Sequence, residues 1–359
     1  MKTCRTGHFG GRIWRVIIPL ITRSLDRCAC AGIGRVAVMP VPVLRSRCAC
    51  AGMGLAEMMV ALLLGMVLAL AAAGMLVASN AAYVNHGAQV RLDDGGRLAL
   101  ALIGQALRQA AFVSWEPGQA PGVPEDRSAS IAGLDAHTLP RTSPAIDGAR
   151  PGAVNGSDVL ALRFAGSSFG AGGSAADGSV LNCAGFAVGG GASEAEQGWS
   201  IFYVALAADG EAELRCKYRA DSGWTSDALV RGVDAFQVLY GLDTDTPPDG
   251  IPNRFLNASE INALDEALVL AAGSAGERQR ERNRKTHWKR IASVRVALLL
   301  HGEFASRPAG PPLRYALFGP QQAAEPDALV DEAAMPKSLQ ERARRLFAIS
   351  VVLRNTGKG

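Results

Sequence analysis

Apolar and polar positions fall into three regimes along the chain. From Met53 to Ala78, 26 residues carry one charge, Glu57, and from Met58 to Ala78 there is none. Those last 21 residues span roughly 30 Å as a helix, the thickness of a bilayer core. The period then changes. Leu92, Ala99, Ile103, Ala106, Leu107 and Ala110 form one stripe, while Arg91, Asp94, Arg97, Gln105 and Arg108 face elsewhere. One helix is therefore expected over 54–113, apolar all round at first (transmembrane about 55–78) and amphipathic afterwards. Gly87, Gly95 and Gly96 weaken its middle and leave room for bending, and Trp115-Glu-Pro-Gly118 reads as its stop. Residues 116–157 read as loop. Strand-like runs follow at 158–165, 199–207, 211–219, 233–240, 291–301 and 346–354, with Gly/Ser/Ala-rich stretches at 166–179 and 187–198. Turns rather than crossover helices join them, so an antiparallel sheet is expected. The predicted fold class is α+β: a long N-terminal helix on one β-rich domain, residues 114–359.

Charge sharpens the first boundary. The chain carries +4, but residues 1–52 hold nine Lys/Arg and one acid, so +8, leaving −4 for the rest. A positive flank before an apolar run is held in the cytoplasm. The body after Ala78 is then expected across the membrane, in a periplasm. Five of the seven Cys lie before residue 53, leaving Cys183 and Cys216 for the body. Two Cys in an oxidising compartment predict one disulfide; two buried free thiols are the alternative. The repeat Arg27-Cys-Ala-Cys-Ala-Gly32 and Arg47-Cys-Ala-Cys-Ala-Gly52 lacks a His or further Cys at metal-ligand spacing. It reads as duplicated or non-native leader, and translation from Met39 would give a leader of ordinary length.

The segment around residue 52 resembles the processing site of type IV prepilins. A small residue at the cleavage position, an apolar first mature residue and a glutamate four places on are held here by Gly52, Met53 and Glu57. Gly54-Leu-Ala replaces the common Thr/Ser-Leu-Ile/Val stretch, and 52 residues is far longer than a usual leader. The resemblance implies cleavage between Gly52 and Met53 by a prepilin peptidase and N-methylation of Met53. The alternative is an ordinary signal-anchor helix with a chance glutamate. Glu57 can be argued from chemistry. Packed among apolar helices, a carboxylate must pair or become neutral. The amine freed at Met53 is its nearest natural partner, and the resemblance implies that Glu57 pairs with that amine on an adjacent subunit and so registers one subunit against the next. An interfacial carboxylate at the membrane surface is the simpler reading.

Three further stretches resemble the PilW group of minor pilins. They run from Arg91-Leu-Asp-Asp-Gly-Gly-Arg97 to Arg108-Gln-Ala, from Leu229-Val-Arg-Gly-Val-Asp to Tyr240-Gly-Leu-Asp243-Thr-Asp245, and from Arg345-Leu-Phe-Ala-Ile-Ser to Arg354-Asn355. The resemblance implies an inner-membrane-anchored pilin with a periplasmic domain that helps start or cap a pilus. Other minor pilins, the major pilin, the prepilin peptidase and the inner-membrane assembly machinery would be its partners. A minor pseudopilin of a type II secretion system is the nearest rival, and an uncleaved membrane-anchored binding protein a rival of another class.

Asp243, Asp245 and Asp249, with Gly250, form a candidate calcium loop. Hard cations want several oxygens on a tightly turning backbone, but the EF-hand spacing is broken by Thr246-Pro-Pro248. An acidic turn is the plainer reading, and no cofactor is otherwise expected. The run from Glu277 to Arg290 holds seven cations and two acids. Clustered cations attract phosphate, yet a solvated face explains them and nucleic acid is not an expected partner. The five His are scattered, and no nucleophile elbow, HExxH or phosphate loop is present. An enzyme is not expected.

Overall fold

The computed structural model describes residues 54–110, 126–170, 175–190, 194–303, 306–307, 310–320 and 328–353. The chain divides into two units, Met1–Leu68 and Ala69–Gly359. In the first, residues 55–68 are helical, and their large apolar side chains are exposed on every side. This is the start of α1, Leu55–Gln109. Ala, Leu and Met dominate its sequence and are strong helix formers.

The second unit is α+β. Its strands are β1 (Ile131–Leu134), β2 (His137–Thr138), β3 (Arg150–Pro151), β4 (Val159–Phe164), β5 (Gly198–Leu206), β6 (Ala212–Ala220), β7 (Gly223–Arg231), β8 (Val233–Leu242) and β9 (Arg254–Leu256). Two helices follow, α2 (Ala258–Glu266) and α3 (Ala275–Lys285). Then come β10 (Ile291–His301), β11 (Arg314–Ala316), β12 (Leu329–Asp331), α4 (Lys337–Gln340) and β13 (Arg344–Val352). Two antiparallel sheets carry the body, ordered β1-β4-β5-β6-β7 and β13-β10-β8-β9. Gly232 passes the chain from one to the other. Its φ is +76°, its N–H donates to the Ala212 carbonyl at 2.9 Å and its own carbonyl accepts from His301 N–H at 2.8 Å. A Cβ there would lie 2.7 Å from the His301 carbonyl oxygen, so both conformation and space call for glycine.

The sheets' inner faces and the amphipathic part of α1 enclose the main core. Ala99, Ile103, Ala106, Leu107 and Ala110 are buried there, with Leu92 packed on its rim, as the stripe predicts. Smaller clusters lie on the outer faces, around Tyr203 on the five-stranded sheet and Leu299 on the four-stranded one.

Three expectations are corrected. The segment read as loop holds β1, β2 and β3, too short to leave a periodic pattern. The strand β7 was missed because Thr225-Ser226-Asp227 reads as turn. The helices α2 and α3 were missed because they bury little, yet each opens on a reciprocal capping box, Asn257 with Glu260 and Ser274 with Glu277. The stop signal at Trp115 and the last predicted helical residues, 111–113, lie outside the described residues.

Two glycines of α1 also have a packing role. The helix is continuous through Gly87, Gly95 and Gly96. A Cβ on Gly96 would lie 2.3 Å from Cε2 of Phe347, and one on Gly95 3.3 Å from Cγ1 of Val230. Gly95 and Gly96 make room for strand side chains. Gly96→Ala is expected to destabilise by about 1–3 kcal/mol through overpacking. Gly87→Ala, with nothing within 4 Å of the new carbon, should stabilise by up to about 1 kcal/mol through helix propensity. Urea unfolding of both variants checks the contrast.

Candidate functional site

Glu57 lies in the first turn of α1, where Gly54 N–H donates to its Oε2 at 3.1 Å. A carboxylate there complements the helix dipole. The apolar stretch that follows is long enough to cross a membrane and none of it is buried within the chain. Met58 to Leu76 therefore presents a surface suited to lipid or to other apolar helices. Gly52 and Met53, the predicted cleavage and methylation positions, lie outside the described residues, as do Arg354 and Asn355.

Cys183 and Cys216 form a disulfide with Cα atoms 5.9 Å apart. Cys216 sits on β6, and Cys183 N–H donates to Ser200 Oγ at 3.0 Å. The bond ties the Gly/Ser-rich excursion between β4 and β5 to the five-stranded sheet, with Phe186 stacked 5.3 Å from Tyr218.

Asp243, Asp245 and Asp249 do come together, with one oxygen of each within 4.8 Å of the others. Asp243 is buried, and its two oxygens accept Asp245 N–H at 2.9 Å and Gly250 N–H at 2.7 Å. These backbone donors, Gly250 first, and the Arg290 charge hold the Asp243 carboxyl below its usual range. Asp249 accepts Ile251 N–H at 2.7 Å and Asp245 accepts from Asn253 at 3.1 Å. The donor set is one a hard cation could use. Each carboxylate also has a partner within the turn, so the loop's bonds account for the cluster as a folded acidic turn.

The basic run is α3 and the turn after it, and no residue of that helix is buried. Glu277 caps its start and Glu281 pairs with Lys285 at 2.6 Å. Arg280, Arg282 and Arg284 point to solvent.

The sequence did not reveal a buried charge network at one end of the four-stranded sheet. The side chain of Arg344 on β13 is fully buried, with Nε 2.6 Å from Asp234 on β8 and an Nη 2.7 Å from Glu332. Glu332 also accepts from Arg307 at 2.9 Å through both oxygens. His301 closes the group, 3.0 Å from Glu211, which also takes Arg342 at 3.3 Å. Burial pushes the Asp234 carboxyl above its usual range, against the pull of His301 and Arg344. A charge set inside an otherwise apolar strand, Asp234 after Val233, is the sequence signal that could have pointed to it. On the outer face of the other sheet, Lys217 is buried, donates to Ser143 Oγ at 2.9 Å, and desolvation lowers its ammonium to about 8. None of these groups is arranged as a nucleophile with its base.

The family model described as PilW, type IV pilus-assembly protein W, matches residues 201–355, from β5 to just beyond β13. No curated protein and no solved structure matches the chain.

Proposed function

We propose that this chain, a type IV pilus-assembly protein by its PilW-family domain, is a minor pilin that helps initiate the fibre and sits in or near its tip. The match over residues 201–355 carries the reading. The apolar helix of α1, the +8 leader before it and Glu57 support it. In this reading a prepilin peptidase cuts between Gly52 and Met53, and the new amine on Met53 is methylated. The helix first holds the protein in the inner membrane with its body in the periplasm. It then packs among neighbouring helices in the filament, where Glu57 pairs with a neighbour's Met53 amine. Other minor pilins, the major pilin and the inner-membrane machinery are its partners, and its role in extension, motility and adhesion is structural rather than catalytic.

Deletion and complementation in the native cell tests this. Loss of most surface pili, restored by the intact gene, is the expected result. Normal pili with a lost secreted product would instead make it a secretion pseudopilin.

A further inference from the structure

The two large sheets end in four edge strands, and three carry features that stop another strand from pairing. The first strand, β1, has four residues, and β9 has three and opens on exposed Arg254. The strand β7 is nine residues long, but it bears exposed Asp227 and Arg231, and its pairing slips beside Leu214. Shortness, charge and bulges are the usual protections of a sheet edge.

The fourth edge, β13, lacks them. Its nine residues pair with β10 in unbroken register, from Arg344 opposite His301 to Val352 opposite Ser293. From Leu346 to Val352 there is no charge, proline or glycine. The two arginines at its start are already used, Arg344 in the buried network and Arg345 with Asp93 at 2.7 Å. The bonds from Leu353 N–H to Ala292 and from Gly302 N–H to Ala343 fix the phase of the ladder. Odd-numbered residues bond to β10, so the N–H and C=O groups of Leu346, Ala348, Ser350 and Val352 face the open side. They have no hydrogen-bond partner among the described residues. The inner side chains lock the strand in place, Phe347 against Gly96 and Ile349 against Gly104. Outside, Val352 is 59% exposed, and a groove of about 430 Å³ lies beside Leu346, Ala348, Leu317 and Phe318.

We propose that β13 receives an extended, uncharged segment of a different pilus subunit as the next strand of the four-stranded sheet, with one of its apolar side chains in that groove. Main-chain hydrogen bonds supply the affinity and the groove the selectivity. Leu346 to Val352 offers a charged segment no countercharge, and Arg295, the cation among the described residues lining the groove, is held over the Phe255 ring, 3.7 Å from its centroid. The partner's identity rests on the minor-pilin reading. Subunits stacked into a fibre need heterologous contacts, whereas β13 paired with its own copy about a two-fold axis would close into a dimer.

The test places photoreactive benzoylphenylalanine at Ser350 of the full-length chain in its native cell, with Val269, 85% exposed on the loop after α2, as the control position. The expected result is an adduct from Ser350, and none from Val269, with one other pilus subunit at an uncharged run. Ala348→Lys, an exposed change beside it, should cut that adduct at least tenfold without lowering the melting temperature. No adduct, an adduct with a second copy or a protein outside the pilus system, or an adduct unmoved by Ala348→Lys overturns the proposal. The N-terminal mass of the same sample separates the two failures. An uncut chain means the pilin reading has failed; a chain cut before Met53 that gives no Ser350 adduct means that only the edge proposal has.

Discussion

Arg344→Met is expected to destabilise the body by about 3–5 kcal/mol, the cost of breaking a buried pair from one side. The guanidinium is fully buried between Asp234 and Glu332 and also donates to the Leu339 carbonyl. Methionine fills much of the same volume, so the loss comes from charge rather than from a cavity. The two carboxylates fare differently. Glu332 keeps Arg307 at 2.9 Å and Leu313 N–H at 2.8 Å. Asp234 is left with His301 at 3.8 Å and the charge of Arg342. Its carboxyl is already raised by burial, and losing Arg344 raises it further. A carboxyl whose folded pKa exceeds its unfolded value costs stability above the unfolded pKa, and that cost fades as pH falls and both states take the proton. The deficit of Arg344→Met should therefore be largest near neutral pH and shrink on acidification. Arg314→Met, which breaks the solvent-exposed pair with Asp331, should cost no more than about 1 kcal/mol. Urea unfolding of both variants at neutral and acid pH reads the difference. Equal losses for the two would mean the buried network contributes no more than a surface pair.

Glu57→Ala is expected to leave processing intact and to reduce incorporation into pili at least tenfold. Among the described residues Glu57 accepts only Gly54 N–H, at 3.1 Å, a contact worth little to a helix already rich in alanine and leucine. In the proposed filament the same carboxylate would face the amine freed at a neighbour's Met53. Without it that amine is buried unpaired, at a cost of several kcal/mol, and each 1.4 kcal/mol is tenfold in occupancy. Immunoblots of sheared pili against membranes measure the ratio. Unchanged occupancy in the variant would remove the registering role.

The long elements were readable because they bury one face over many residues. The stripe from Leu92 to Ala110 and the apolar runs of β8 and β10 each repeat a period long enough to stand out. Short or two-sided polar elements were not. The polar strand β7 is held by its ladder to β6, and α3 by its caps, and neither leaves a hydrophobic pattern. The glycine pair in α1 was visible as composition, but its meaning depends on Phe347, some 250 positions later. The buried network was hidden for the same reason. Asp234 stands out inside an apolar strand, but Glu332 and Arg344 look like surface charges until the sheet brings β8 and β13 to either side of β10. The cysteine pair, by contrast, could be read from the charge boundary, because that boundary leaves two of the seven cysteines in the body, and these two are bonded.

The most direct measurement is the mass of the N-terminal peptide of the chain recovered from membranes of a cell that carries a prepilin peptidase. A chain beginning at Met53 with one methyl group on its amine is the predicted result. An intact bond between Gly52 and Met53 would contradict it.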